Sequence, residues 1–229
     1  MKKKNFKEDK IETANFFFNR ILPRIEIIDN FLNKDDFDQL CQLQLDYVKD
    51  DIKVYHSKIN KNNEIEGDFI EKNLLKKLHE NYHEKMINIL KKLCPEKIDL
   101  YDYSDFTIIV THKDYKFPFH EDAPNKLLSG VIYLYPEKNN GTIFASNKKG
   151  SGEYVIDWKQ NRGVFFSRKE RDTWHTYKAD GINNRVALVY NLNTYRIKEV
   201  YRIEKKNYLF GILRYKINPY FVQYFKFTI

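Results

Sequence analysis

The sequence predicts an α+β chain, with supporting helices to about residue 95 and then a β-sandwich or barrel of the double-stranded β-helix kind, a cupin-like jelly roll. Three observations carry this reading. Two segments before Pro95 place apolar residues at helical spacing, and six short β-branched or aromatic runs crowd the stretch after it. Asn-Asn-Gly, Asn-Arg-Gly and Asp-Gly turn signals separate most of those runs. At 229 residues, 42% hydrophobic and 16% aromatic, the chain is long and apolar enough for one packed domain.

Residues 1–23 form an N-terminal arm, polar and then aromatic without a clear period, expected to be loose or strand-like. Arg24 to Leu32 alternates as a strand ending in a turn, and Asn33-Lys34-Asp35-Asp36 supplies capping chemistry for a helix. Phe37, Leu40, Cys41, Leu43 and Leu45 lie along one stripe of that helix. The charged, Asn-rich residues 50–67 read as a loop. A longer helix is expected from about Asp68 to Leu93, because Leu75, Leu78, Tyr82, Met86 and Ile89 recur at three and four; Pro95 ends it. The six strands follow as Phe106–Thr111, Gly130–Tyr135, Gly141–Ser146, Glu153–Trp158, Gly163–Ser167 and Arg185–Leu192. Many short strands at close spacing favour a jelly roll, which pairs two sheets. No internal repeat is found. The expected domain thus covers residues 24–194, with the jelly roll over about 100–194 and a C-terminal extension over 195–229.

The formal net charge of +8 raises the question of nucleic acid. From Tyr195 to Ile229, however, eight Lys or Arg face two Glu among ten aromatics, so the excess lies in the extension. The richness in Lys, Asn, Ile, Tyr and Phe is also what AT-rich coding produces. A basic aromatic segment suits stacked bases or an anionic membrane surface. Packing on the sheets or on a second subunit is the simpler reading, so the extension leaves an oligomer open and nucleic acid is not expected. No apolar run approaches the roughly 20 residues that a membrane-spanning helix needs. Met1–Lys10 carries positive charge with no apolar stretch behind it, which argues against a secretory signal. Cys41 and Cys94 form no C-x-x-C, and Cys41, on the apolar side of a helical pattern, reads as a buried reduced thiol; the expected compartment is the cytoplasm.

Of six histidines, His120 stands out. Phe119-His120-Glu121-Asp122 places an imidazole and a carboxylate at i and i+2, on the same face of an extended segment. A third ligand from a neighbouring strand would complete a facial set, and His175, in the extended-looking Thr173–Tyr177, is placed to supply it. Two histidines and a carboxylate leave positions open for Fe(II) oxygen chemistry. Arg185 follows ten residues after His175 and opens the apolar strand Val186–Tyr190. A guanidinium projecting into a barrel needs an anion, and its planar fork matches a carboxylate.

In order, the chain shows H-x-D, the Tyr133-Leu134 strand, the Gly141-Thr142 strand, the Gly163 to Phe166 strand, a distal His175 and then Arg185. Upstream, Ile25 to Phe37 reads as strand, turn and helix. Residues from about 24 to 194 resemble the 2-oxoglutarate- and Fe(II)-dependent dioxygenase superfamily, nearest its prolyl-4-hydroxylase-like branch. The resemblance implies that His120, Asp122 and His175 hold Fe(II), that Arg185 pairs with the distal carboxylate of 2-oxoglutarate, and that Tyr133 is a second donor to it. It implies O2 as co-reactant, ascorbate as accompanying reductant, and hydroxylation of a small-molecule or peptide substrate with release of succinate and CO2. Two departures stand out: the branch often has Tyr on the strand before H-x-D, where Val110-Thr111 stands here, and the segment leading to His120 is long.

Other patterns compete. His112-Lys113-Asp114 is a second H-x-D in a turn setting, and His79-Glu80-Asn81-Tyr82-His83 matches the H-E-x-x-H of zinc peptidases on a helix, where the bland alternative is a solvated face. A jelly-roll binding module without metal is the third reading. Loops at 50–67, 113–126 and 145–152 are expected to frame the mouth, where Lys113, Lys116, Lys126, Lys148 and Lys149 would favour an anionic substrate.

Overall fold

The computed structural model describes residues 14–45, 51–169 and 171–225. Strand β1 (Ile25–Ile28) turns at Asn30, which takes a positive φ of 51°, into helix α1 (Lys34–Cys41). Asn33 caps that helix by accepting from the Asp36 amide at 2.8 Å, as its sequence foretells. Next come β2 (Ile52–Asn60), β3 (Ile65–Glu66) and the long helix α2 (Lys72–Leu93). The β-rich half contains β4 (Tyr103–Thr111), β5 (Lys126–Tyr135), β6 (Ile143–Ala145), β7 (Tyr154–Val155), β8 (Gly163–Phe166), β9 (Trp174–Thr176) and β10 (Arg185–Asn193). Helices α3 (Ile197–Ile203) and α4 (Tyr208–Phe225) follow.

Seven strands form one antiparallel sheet in the order β1-β8-β5-β10-β4-β2-β3, and three form a second in the order β7-β6-β9. Alternation of side chains gives the large sheet two unlike faces. Phe106, Ile108, Val110, Leu188 and Tyr190 point outward into a core closed by Leu75, Leu78, Tyr82 and Met86 of α2. The opposite face turns Ile109, Ala187 and Val189 toward the small sheet and lines a cavity there. A separate cluster of Phe17, Tyr133, Phe144, Ile156 and Phe166 packs beside that cavity. Gly141 is required where the chain crosses Ile156, since a Cβ would come within 1.8 Å of the Ile156 carbonyl oxygen.

Three expectations need correction. Residues 50–67 are no loop where described, because β2 runs beside β4 over its full length and β3 beside β2. One face of β2 is polar (His56, Lys58), which hides its alternation. The described part of the N-terminal arm, residues 14–23, is helical rather than extended, and Phe17 buries its ring on Tyr154 with centroids 3.5 Å apart. His79 is not on a solvated face: it is 8% exposed. Residues 1–13 of the arm lie outside the described residues. Both cysteines are free, with Cys94 buried and Cys41 half-buried.

Candidate metal centre and cosubstrate pocket

The H-x-D segment and β9 meet as an isolated antiparallel bridge. His120 donates its amide to the His175 carbonyl at 3.0 Å and receives the His175 amide at 2.9 Å. Directly opposed residues project to the same side, so the rings come together with centroids 4.3 Å apart. Asp122, two residues on, returns to that side. The ligand atoms of His120, Asp122 and His175 all lie within 4.8 Å of one another, the only such cluster of metal-ligating groups among the described residues.

Each imidazole is oriented through its backbone-facing nitrogen. His120 Nδ1 sits 3.1 Å from the Pro118 carbonyl and His175 Nδ1 sits 2.9 Å from the Thr173 carbonyl. A carbonyl only accepts, so Nδ1 carries the proton and Nε2 keeps its lone pair for a metal. Phe117 and Phe166 wall the pair, with centroids 4.4 Å from His120 and 4.7 Å from His175. Burial, with His175 adding to it, pushes the His120 imidazole down to about 3; burial likewise lowers His175. Burial acts to raise the Asp122 carboxyl, but Lys126, His175 and His120 outweigh it and hold it below the usual range. Two neutral imidazoles and one carboxylate are the protonation states that metal ligation requires.

Asp122 is itself held in place. Lys126 Nζ lies 2.6 Å from Oδ1, Ser129 donates to Oδ2, and the buried Arg168 donates from Nε to the Asp122 carbonyl at 3.0 Å. The Arg168 guanidinium is gripped by Glu204 at 2.7 and 2.8 Å, and Lys97 reaches both Glu204 at 2.8 Å and the Arg168 carbonyl at 2.6 Å. Glu204 caps α3, and Arg214 of α4 binds Glu121 at 3.0 Å. The C-terminal helices therefore hold the backbone on which the cluster stands. Only the tertiary pairing reveals this role of a segment that composition marks as basic.

Arg185 lines a cavity of about 110 Å³ together with His120, Asp122 and His175. It is 3% exposed, its Nε has no hydrogen-bond partner, and no carboxylate pairs with it among the described residues. Its guanidinium instead lies over the rings of Tyr177, Trp158 and Tyr133, 4.3, 5.3 and 5.5 Å from their centroids. Tyr133 stands beside Arg185 but its hydroxyl is engaged, donating to Thr142 Oγ1 and accepting from the Thr142 amide, both at 2.8 Å. Tyr177 lines the cavity with its hydroxyl 3.0 Å from Thr111 Oγ1, and sequence reading passed over it. Its position at i+2 from His175 in an extended run was the available signal.

The other candidates stay apart. His112 and Asp114 sit beyond the end of β4, outside the cluster. On α2, His79 and His83 are ring neighbours at 4.5 Å, but Glu80 is exposed and no third ligand joins them among the described residues. Of the five lysines expected at the mouth, Lys126 lines the cavity, and Asp122 holds its ammonium.

Compared by sequence, the chain matches no family model and no curated protein. Compared by structure, it is similar to an oxidoreductase of the 2OG-Fe(II) oxygenase family from Burkholderia pseudomallei (15% identity, TM-score 0.55, 79% of this chain and 89% of that one). It is also similar to a Pseudomonas putida prolyl-4-hydroxylase (11%, 0.51, 81% and 98%) and to IDO from Bacillus thuringiensis (10%, 0.55, 82% and 99%). No helix of the described residues is long and apolar enough to cross a membrane. This mixed helix-and-sheet chain, with its large antiparallel sheet, has the fold of the 2OG-Fe(II) oxygenase family, prolyl-4-hydroxylases among its structural neighbours.

Proposed function

We propose that this chain is an Fe(II)- and 2-oxoglutarate-dependent dioxygenase that hydroxylates a small-molecule or peptide substrate. The observation that carries the reading is one cavity with complementary groups in its lining: a two-histidine, one-carboxylate cluster and a buried guanidinium whose Nε has no partner. A buried guanidinium without an anion is costly, and a dicarboxylate that also reaches a metal relieves that cost. The two sheets are the halves of a double-stranded β-helix, residues 24–194 form the oxygenase domain, and the described part of the extension, 195–225, braces it.

His120, Asp122 and His175 hold the metal, with Nε2 of each imidazole directed to it by the Pro118 and Thr173 carbonyls. Bound Fe(II) with 2-oxoglutarate and O2 supplies the oxidising chemistry, releasing succinate and CO2. Arg185 receives the distal carboxylate of the cosubstrate. Tyr177 and Tyr133 keep the guanidinium in place with their ring faces, and Tyr133 locks Thr142, a further residue of the cavity lining. Phe117 and Phe166 exclude water around the histidines. Ser129 and Lys126 fix the Asp122 carboxylate.

The test is anaerobic addition of Fe(II) and 2-oxoglutarate, read by the metal-to-ligand absorption band. The band is expected in the wild type and in His79→Ala, and lost in His120→Ala, His175→Ala and Arg185→Ala. No band in the wild type, or loss only in His79→Ala, rejects the reading.

A further inference from the structure

The cavity-lining face of the large sheet continues past the cavity. Ser129 of β5 is paired with Asn191 of β10, and Asn191 with Asp105 of β4. These three residues form one row across the strands. The alternation that turns Arg185, Ala187 and Val189 into the cavity turns Asn191 and Asn193 the same way, and Ile109 sets the same face for Thr107 and Asp105. Ser129 is the residue that donates to Asp122. With strands about 4.8 Å apart, Asp105 stands roughly 10 Å along the same wall from Ser129.

This row is polar, buried and incomplete. Asp105 Oδ1, Asn191 Oδ1 and Asn193 Nδ2 have no hydrogen-bond partner. Asn191 and Asn193 are 3% and 0% exposed, and Asp105 is 9% exposed. The flanking lysines are held elsewhere, Lys126 by Asp122 at 2.6 Å and Lys58, which pairs with Asp105 in register, by Glu66 at 2.8 Å. His56 approaches Asp105 at 3.8 Å while its Nδ1 lies 3.0 Å from Thr107 Oγ1; its side chain is 54% exposed, so this end of the row opens to solvent. Burial drives the Asp105 carboxyl above its usual range against the pull of His56, Lys126 and the neighbouring Asn193 and Asn191 side chains. A buried carboxylate faced by no cation closer than the His56 imidazole at 3.8 Å is the feature that calls for a ligand.

We propose that this row is the floor of the substrate site, where Asp105 and Asn191 Oδ1 receive a cationic nitrogen, an ammonium or guanidinium group, of the molecule to be oxidised. The assignment rests on the oxygenase reading for what happens at the cluster, and its spacing suits a substrate several bonds long. It opposes the anionic substrate that the lysine-rich loops suggest.

The experiment loads the chain anaerobically with Fe(II) and 2-oxoglutarate and titrates L-lysine, L-arginine and putrescine, with L-glutamate and glucose as anionic and neutral probes. Binding is read both as perturbation of the absorption band and by calorimetry. The amines are expected to bind saturably and the other probes not. Asp105→Asn is expected to weaken amine binding at least tenfold and Asn191→Ala to weaken it less, with the 2-oxoglutarate band kept in both. Preference for glutamate or glucose, amine affinity unchanged in Asp105→Asn, or no amine binding while the band forms would overturn the proposal. A wild type without the band rejects the oxygenase reading instead, and calorimetry of the same titrations still decides whether the floor takes amines.

Discussion

Two pairs of histidines lie ring to ring in this chain, and they differ in what surrounds them. His120 and His175 have centroids 4.3 Å apart, and His79 and His83 4.5 Å apart. In both pairs burial pushes the imidazoles toward neutrality. The first pair comes from two segments bridged in register, with Asp122 completing the set, carbonyls orienting both rings and a cavity beside them. The second comes from successive turns of one helix and packs against Phe106 and Tyr101, with Nδ1 of each ring lacking a partner. A helix delivers two histidines to one face at no topological cost, but no third ligand joins them among the described residues. Proximity of imidazoles is therefore a weak sign of a metal site; an oriented Nε2, a carboxylate and an adjoining cavity make a strong one.

The largest effect that would break this contrast is loss of a ligand. His175→Ala or Asp122→Ala should reduce Fe(II) or Co(II) affinity by more than about 100-fold, beyond what loss of a supporting residue costs. His79→Ala with His83→Ala should leave it unchanged, as equilibrium dialysis would show. Next comes the cosubstrate end: Arg185→Ala should weaken 2-oxoglutarate binding roughly 30-fold or more while metal binding persists, because the loss leaves a carboxylate without its buried partner.

A smaller effect is expected from the brace behind Asp122. Glu204→Gln releases Arg168, and metal affinity should drop by about tenfold with a modest fall in Tm. A fall in Tm with metal affinity unchanged would make that brace structural only. The smallest effect belongs to the second pair. Burial, together with the neighbouring His83, lowers His79 from 6.5 to about 4, so between those values the unfolded chain binds a proton that the folded chain refuses. Stability from this group should be complete above about pH 6.5 and be lost as pH falls toward 4, by at most about 3 kcal/mol. His79→Leu should flatten that limb in urea titrations at several pH values; an unchanged slope would place the acid sensitivity elsewhere.

Much of the fold was readable along the chain because long elements repeat their signal. The α2 stripe, the Asn33 cap and the buried strands β4, β5, β8 and β10 all announce themselves through local pattern. Strand β2 was missed because the cavity-side face of the sheet stays polar there, so His56 and Lys58 break the alternation that Ile59 on the other face keeps. In the site, H-x-D, the distal histidine and the arginine were legible as an ordered set. Tyr177 was hidden among 17 tyrosines, and Arg168, Glu204 and Lys97 carry no local mark of their buried contact.

Taken alone, then, the sequence determined which residue types could bind a metal and an acid, and on which face of each element they stand, because side-chain direction follows backbone period. The tertiary structure decided which of the two histidine pairs acquires a carboxylate and a cavity. That decision needed the bridge between His120 and His175, 55 residues apart in sequence, and register between distant strands is set by the packing of whole sheets rather than by any local run.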